Sequence, residues 1–110
     1  MTHDFYCDEV LKGRVPIQVV IETENVLAYH HTNPQWPVHI VVIPKYHVES
    51  LLSLSCENTE LLSEMMFVLQ KVIGKVLEEH EGCRLTTNFG NCQTTKHLHW
   101  HVYVADNMMS

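Results

Sequence analysis

The spacing of apolar positions changes several times along the chain, and each change marks an element. Residues 17–21 (IQVVI) form a β-branched run, and residues 26–30 (VLAYH) form a second. The polar stretch Glu22-Thr23-Glu24-Asn25 between them predicts a hairpin. Residues 32–37 contain Pro34 and Pro37, which leave no room for a ladder and predict a loop. Residues 38–43 (VHIVVI) give the strongest strand signal, closed by Pro44. From about residue 55 to 81 the period becomes helical: Leu62, Met65, Leu69, Val72, Ile73 and Val76 share one stripe, with Glu60, Glu64, Gln70, Lys71 and Glu78 around it. Gly82 is the expected stop, and Gly74 weakens the helix by about 1 kcal/mol relative to alanine unless something packs against it. Residues 84–89 read as a further strand, 90–96 as a polar loop and 97–104 as the last strand. A short helix over residues 4–13 ends at Gly13, with Pro16 enforcing the stop.

These elements predict an α+β fold: a five-stranded, mainly antiparallel sheet with one long helix across a face and a short N-terminal helix. The 110 residues suit one domain over residues 1–110, with an ordered core at about 4–104 and a frayed tail at 105–110. No run approaches 18 apolar residues, and Met1-Thr2-His3-Asp4 does not read as a signal peptide, so a cytoplasmic protein without membrane contact is expected. Cys7, Cys56, Cys83 and Cys92 form no Cys-x-x-Cys pair and are expected as reduced thiols. The net charge of −6 argues against nucleic acid as a partner. A phosphate-bearing ligand would need local attraction.

Chemistry concentrates near the C-terminus, in His97-Leu98-His99-Trp100-His101-Val102-Tyr103-Val104. On a strand the three histidines share one face, with neighbouring imidazoles about 6.6 Å apart along the strand. Three uses are open to such a row: a polar surface without a task, a set of metal ligands, or a nucleophile with its proton carrier. Metal binding suffers from geometry, since the outer pair would lie about 13 Å apart while zinc–nitrogen bonds are about 2.0–2.1 Å. A neutral imidazole can attack phosphorus near pH 7, a neighbour can protonate the leaving group, and mutual repulsion keeps one member neutral.

The row resembles the signature of the histidine triad family of nucleotide-binding hydrolases and transferases. The resemblance spans about residues 4–104. Phe5-Tyr6-Cys7 with Gly13-Arg14-Val15-Pro16 is similar to the family's N-terminal helix and its exit. Pro34-Gln35-Trp36-Pro37-Val38-His39 and Val42-Ile43-Pro44-Lys45-Tyr46-His47 are similar to its central block, and Asn88, Gly90 and Gln93 fall where the family has polar residues before the triad. The resemblance implies that His99 is the nucleophile, forming a nucleotidyl-histidine that water hydrolyses. It implies that His101 contacts the phosphate and assists the leaving group, that His97 orients the row, and that His39 is a fourth histidine beside it. Asn88, Gln93 and Thr94 would line the phosphate site with donors. The implied substrate is a nucleoside monophosphate joined to an amine or a further phosphate, as in phosphoramidates and dinucleoside polyphosphates. No cofactor is implied, and the implied assembly is a homodimer in which sheets and long helices meet.

Three positions depart from the family pattern. His31 stands where the family has an aspartate that accepts both ribose hydroxyls, and a neutral imidazole offers one acceptor instead. Thr94-Thr95-Lys96 replaces a more apolar tripeptide, with Lys96 read as a solvated side chain. Some members hold zinc through an N-terminal Cys-x-x-Cys and histidines; here Asp4 takes the first cysteine's place, so no complete structural zinc site is expected, although Asp4, Cys7 and His47 remain as weak ligands. Trp36 and Trp100 are expected to be core or interface residues, Trp36 alternatively stacking on a base. Two other function classes stay open: a nucleotide-binding module with little catalysis, and a metal-dependent hydrolase.

Overall fold

The computed structural model describes residues 4–105. Five strands form one antiparallel sheet: β1 (Val19–Glu22), β2 (Val26–His30), β3 (Val38–Pro44), β4 (Arg84–Thr87) and β5 (Trp100–Val104). Their spatial order is β1-β2-β3-β5-β4, so β5, the last of the described strands in sequence, sits between β3 and β4. The hairpin between β1 and β2 forms as its polar turn predicts, with a register slip between Val19 and Ile21. Glu64 locks that turn to the helix, since its carboxylate accepts from the Thr23 hydroxyl, the Asn25 backbone N–H at 2.8 Å and the Asn25 side chain at 3.1 Å.

One long helix, α1 (Thr59–Leu77), crosses one face of the sheet. Its stripe of Leu61, Met65, Val68, Leu69, Val72 and Val76 packs on Val26, Ala28, Ile40, Val42, Trp100 and Val102. Met65 is fully buried there, so truncating it to alanine should cost about 2–5 kcal/mol. Trp100 lies in the same cluster with its Nε1–H buried and unpartnered, at a cost of about 1–3 kcal/mol. The other sheet face carries Leu27, Tyr29, Val41 and Ile43 under Tyr6 and Val10 of the N-terminal turn. Both faces of β3 are therefore covered, which explains why its sequence is nearly continuously apolar.

Several expected boundaries move. The helix is shorter than residues 55–81, because two 3₁₀ turns, Leu51–Ser53 and Cys56–Asn58, precede it. Ser50 and Ser55 cap these turns by accepting from Leu52 and Glu57, an alternative that competes with helix propagation. The helix ends at Leu77 with Glu78 as its cap, so Gly82 does not terminate it. Gly13 does close the N-terminal turn (Tyr6–Val10): it adopts φ +71° and its N–H donates to Val10. That turn is wide, with Leu11 N–H reaching the Tyr6 carbonyl. Strand β4 stops at Thr87 and β5 starts at Trp100, so His97 and His99 precede the strand that holds His101. The 106–110 part of the expected tail lies outside the described residues.

Candidate active site

Register brings the histidines together. On β3, His39 pairs with Tyr103 and Val41 with His101, so the His39 and His101 side chains share the face opposite α1, offset by one diagonal step. His39 Nε2 lies 2.8 Å from His101 Nδ1. The sequence alternation also persists before β5: Leu98 joins Trp100 and Val102 in the helix-side core, while His97 and His99 lie against the Tyr6 ring at 5.5 and 5.0 Å. The His99 and His101 rings meet edge to face, 5.0 Å apart. His99 itself sits on irregular backbone just before β5.

Hydrogen-bond partners decide where the ring protons reside. His99 Nδ1 faces the His97 carbonyl at 2.6 Å, and a carbonyl only accepts, so Nδ1 carries the proton. Burial pushes the His99 pKa down, which leaves the ring neutral with its lone pair on Nε2. His39 Nδ1 accepts from the Gln35 backbone N–H at 3.3 Å, so its proton is on Nε2 and is donated to His101 Nδ1. The His101 proton is then on Nε2. Burial, followed by neighbouring imidazole charge, lowers His39 to about 3 and His101 to about 4, so both are neutral at pH 7. Tyr103 and Trp36 stack at 3.9 Å, and Trp36 meets His39 edge-on at 4.7 Å, forming one wall.

Beneath the row lies a second cluster. Asp4 Oδ2 accepts from His97 Nδ1 at 2.8 Å and from His47 Nδ1 at 2.6 Å. His97 Nε2 faces the Pro44 carbonyl at 3.0 Å, so the ring is held between a carboxylate and a carbonyl. Burial by itself pushes the Asp4 carboxyl up, but the Cys7 backbone N–H and the two imidazoles outweigh it and hold the group well below the usual carboxylate range. The Cys7 thiol lies 3.4 Å from His97 Nδ1, and burial raises its pKa to about 11. Ligand atoms of Asp4, Cys7, His47 and His97 all lie within 4.8 Å of one another. With the Pro44 carbonyl on the far side of His97, this oxygen–sulfur–two-nitrogen set is a fuller group of ligands than the three expected from the sequence, and its donor types suit zinc. Here Asp4 itself bridges the two imidazoles.

The loop before the triad is more dispersed. Gln93 is buried and spends one amide hydrogen on the Glu49 carbonyl at 2.6 Å. Asn88 is half-buried just beyond β4, and Thr94 is exposed. Lys96 folds back onto the Gly90 carbonyl at 2.6 Å. His31, half-buried after β2, stacks on His39 with ring centres 4.2 Å apart. Asp4 as the partner of His97, and the Gln35 and Pro44 backbone groups that set the two tautomer chains, carry no sequence signal beyond their place in the motif blocks.

The family model of the HIT domain matches residues 12–108. The chain belongs to the HIT family. Among curated relatives, this HIT chain is 35% identical over 99 residues to a 14 kDa zinc-binding protein of Zea mays, covering 86% of this chain and 77% of that one. Among solved structures, a HIT family hydrolase from Clostridium thermocellum superposes with a TM-score of 0.84 at 29% identity, over 100% of this chain and 96% of that one. A histidine triad nucleotide-binding protein from Candida albicans gives 0.77 at 25% identity, over 91% and 73% respectively. The α+β fold and the HIT assignment expected from the motifs are both met. No helix among the described residues is long and apolar enough to cross a membrane.

Proposed function

We propose that this HIT protein is a nucleotide hydrolase or transferase that cleaves a phosphorus bond of a nucleoside monophosphate conjugate through a covalent intermediate on His99. The observation that carries this reading is the His99 Nδ1–H bond to the His97 carbonyl, which leaves Nε2 as the nucleophilic nitrogen of a neutral ring. In the first step the Nε2 lone pair forms a bond to phosphorus, and the bond from phosphorus to the leaving nitrogen or oxygen breaks. The entering phosphate is anionic and favours a proton on the His39–His101 pair, which His101 Nε2 passes to the leaving atom. Water then attacks phosphorus, the Nε2–phosphorus bond breaks, and the proton returns to His101. Gln93, with its second amide hydrogen, Asn88 and Thr94 supply polar contacts to the phosphoryl oxygens. Local donors of this kind hold phosphate despite the net charge of −6.

A homodimer fits the same reading. Leu62, Met66 and Phe67 of α1 are exposed, as are Leu85 of the edge strand β4 and Phe89 just beyond it. Sedimentation at twice the 12.8 kDa chain mass is the expected result.

The test of the reaction is turnover of adenosine 5′-phosphoramidate and diadenosine polyphosphates by the wild type and His99→Ala. Turnover should fall by about 10³-fold or more, and rapid quenching of the wild type should trap an adenylyl group on His99. Unchanged turnover, or an adduct on another residue, would falsify the nucleophile assignment. Calorimetry showing tight nucleotide binding without turnover across the panel would instead favour a binding module.

A further inference from the structure

We infer that His31 is a specificity-determining hydrogen-bond donor: it reads an acceptor oxygen on the group next to the reacting phosphorus, not a hydroxyl proton. The inference rests on the proposed nucleotide chemistry and adds what the protein asks of the group beside the phosphorus.

Geometry fixes both the place and the polarity of His31. Its ring lies nearly parallel to His39, 16° between planes, with its centre 6.1 Å from that of His101, one group away from the proposed phosphoryl site. Its Nδ1 accepts from the Asn33 backbone N–H at 3.0 Å. Burial lowers its proton affinity, so the ring is neutral at pH 7. A neutral imidazole whose Nδ1 lone pair is engaged carries its single proton on Nε2. What His31 offers a ligand is therefore an N–H. The ring also borders an open pocket of about 360 Å³ shared with Val15, Pro16, Ile17, Gln18, His30 and Thr32, part apolar and part polar and roomy enough for a sugar-sized group.

The nitrogens of His31, His39 and His101 lie within 4.8 Å of one another, a spacing that also suits a metal ion. The hydrogen-bond environment decides against the cation. A metal takes the lone pair of one ring nitrogen and leaves the other as an N–H donor, usually facing an acceptor. In this cluster backbone N–H groups point at Nδ1 of both His31 and His39, so a metal on their Nε2 atoms would set donor against donor. An acceptor oxygen meets no such conflict. It could belong to a sugar ether or hydroxyl, or to a further phosphoryl group.

Calorimetry with AMP, 2′-O-methyl-AMP, 3′-O-methyl-AMP, 2′-deoxy-AMP and adenosine 2′,5′-bisphosphate tests this on the wild type, His31→Asp and His31→Gln. The wild type should hold the methylated nucleotides within about threefold of AMP, since methylation removes a hydroxyl proton and keeps the oxygen. His31→Asp, an acceptor only, should weaken at least one methylated form about tenfold relative to AMP, and the bisphosphate more strongly still. His31→Gln, which regains an N–H, should restore the wild-type order. A wild-type preference for the bisphosphate assigns the acceptor to a phosphoryl group; equal binding assigns it to the sugar oxygen. The inference is overturned if His31→Asp leaves the ranking unchanged, or if the wild type rejects both methylated forms. Stoichiometric Zn²⁺ uptake that His31→Ala abolishes would overturn it as well. Binding of none of the five nucleotides would remove the proposed function itself, and this inference with it.

Discussion

Asp4 and His97 are 93 positions apart in the chain, yet the Asp4 carboxylate takes a hydrogen bond from His97 Nδ1 at 2.8 Å inside the core. The carbonyl of the same His97 holds His99 in its proposed nucleophilic tautomer. The N-terminal segment thus supports the row from below. Asp4→Ala should destabilise the fold by about 2–4 kcal/mol, because it strands the donor of a buried pair, while Asp4→Asn, which keeps an acceptor, should cost clearly less. Urea unfolding at pH 7 measures both. In kinetics, kcat should fall more than KM rises, since His97 acts through His99 and not on substrate.

The same carboxylate would limit the affinity of its cluster for zinc. Asp4→Cys places a second thiolate beside Cys7, His47 and His97, and zinc favours the softer set. Zinc affinity, measured by competition with a chromophoric chelator, should rise at least tenfold over the wild type. No gain would show that the cluster geometry is closed around the Asp4 hydrogen bonds.

Acid should act on the site through four depressed histidines. His31, His39, His99 and His101 all titrate below their ordinary value of about 6.5 in the folded chain, burial being the first cause. The unfolded chain therefore binds more protons than the native one as pH falls below about 6.5, so stability declines from there towards pH 4. Above 6.5 these groups contribute no slope. Asp4, held low, adds its own loss only below about pH 3.8. His39→Gln should reduce the slope between pH 6 and 4 by up to one proton, about 1.4 kcal/mol per pH unit, in unfolding experiments run across that range. The acid limb of kcat/KM should likewise lie below pH 6.5, reporting His99.

Gly74 lies in the interior of α1, and a Cβ built there meets nothing within 4 Å. Gly74→Ala should raise stability by about 0.5–1 kcal/mol by restricting the unfolded chain and favouring helix. Thermal unfolding reads the gain. Gly74 is two turns from the exposed Phe67 on the same helix face, so a loss of stability would indicate a second chain packed closely there.

The strands and α1 were legible because their apolar positions follow periods of 2 and 3.6, and those periods come from burial. The ends were not. Ser50 and Ser55 offered the chain 3₁₀ turns that apolar spacing does not register, and α1 stopped five residues short of Gly82. Alternation did place His97, His99 and His101 away from the helix-side core, although only His101 lies on the strand. The His39–His101 contact follows from cross-strand register, which no single segment encodes. His31 stands out in the sequence as a departure, but its proposed polarity as a donor depends on one backbone N–H, that of Asn33. The Asp4–His97 pair joins two ends of the chain and was visible only as a missing cysteine.

Because β5 follows the other four described strands in sequence and fills the gap between β3 and β4, a chain made only as far as β4 leaves β3 with one unpaired edge. That edge belongs to VHIVVI, a nearly continuous apolar run, and it stays bare until the strand that bears His101 pairs with it. The stretch proposed to perform the chemistry is thus also the stave that closes the sheet, and C-terminal truncations should be lost to aggregation before they are lost to inactivity.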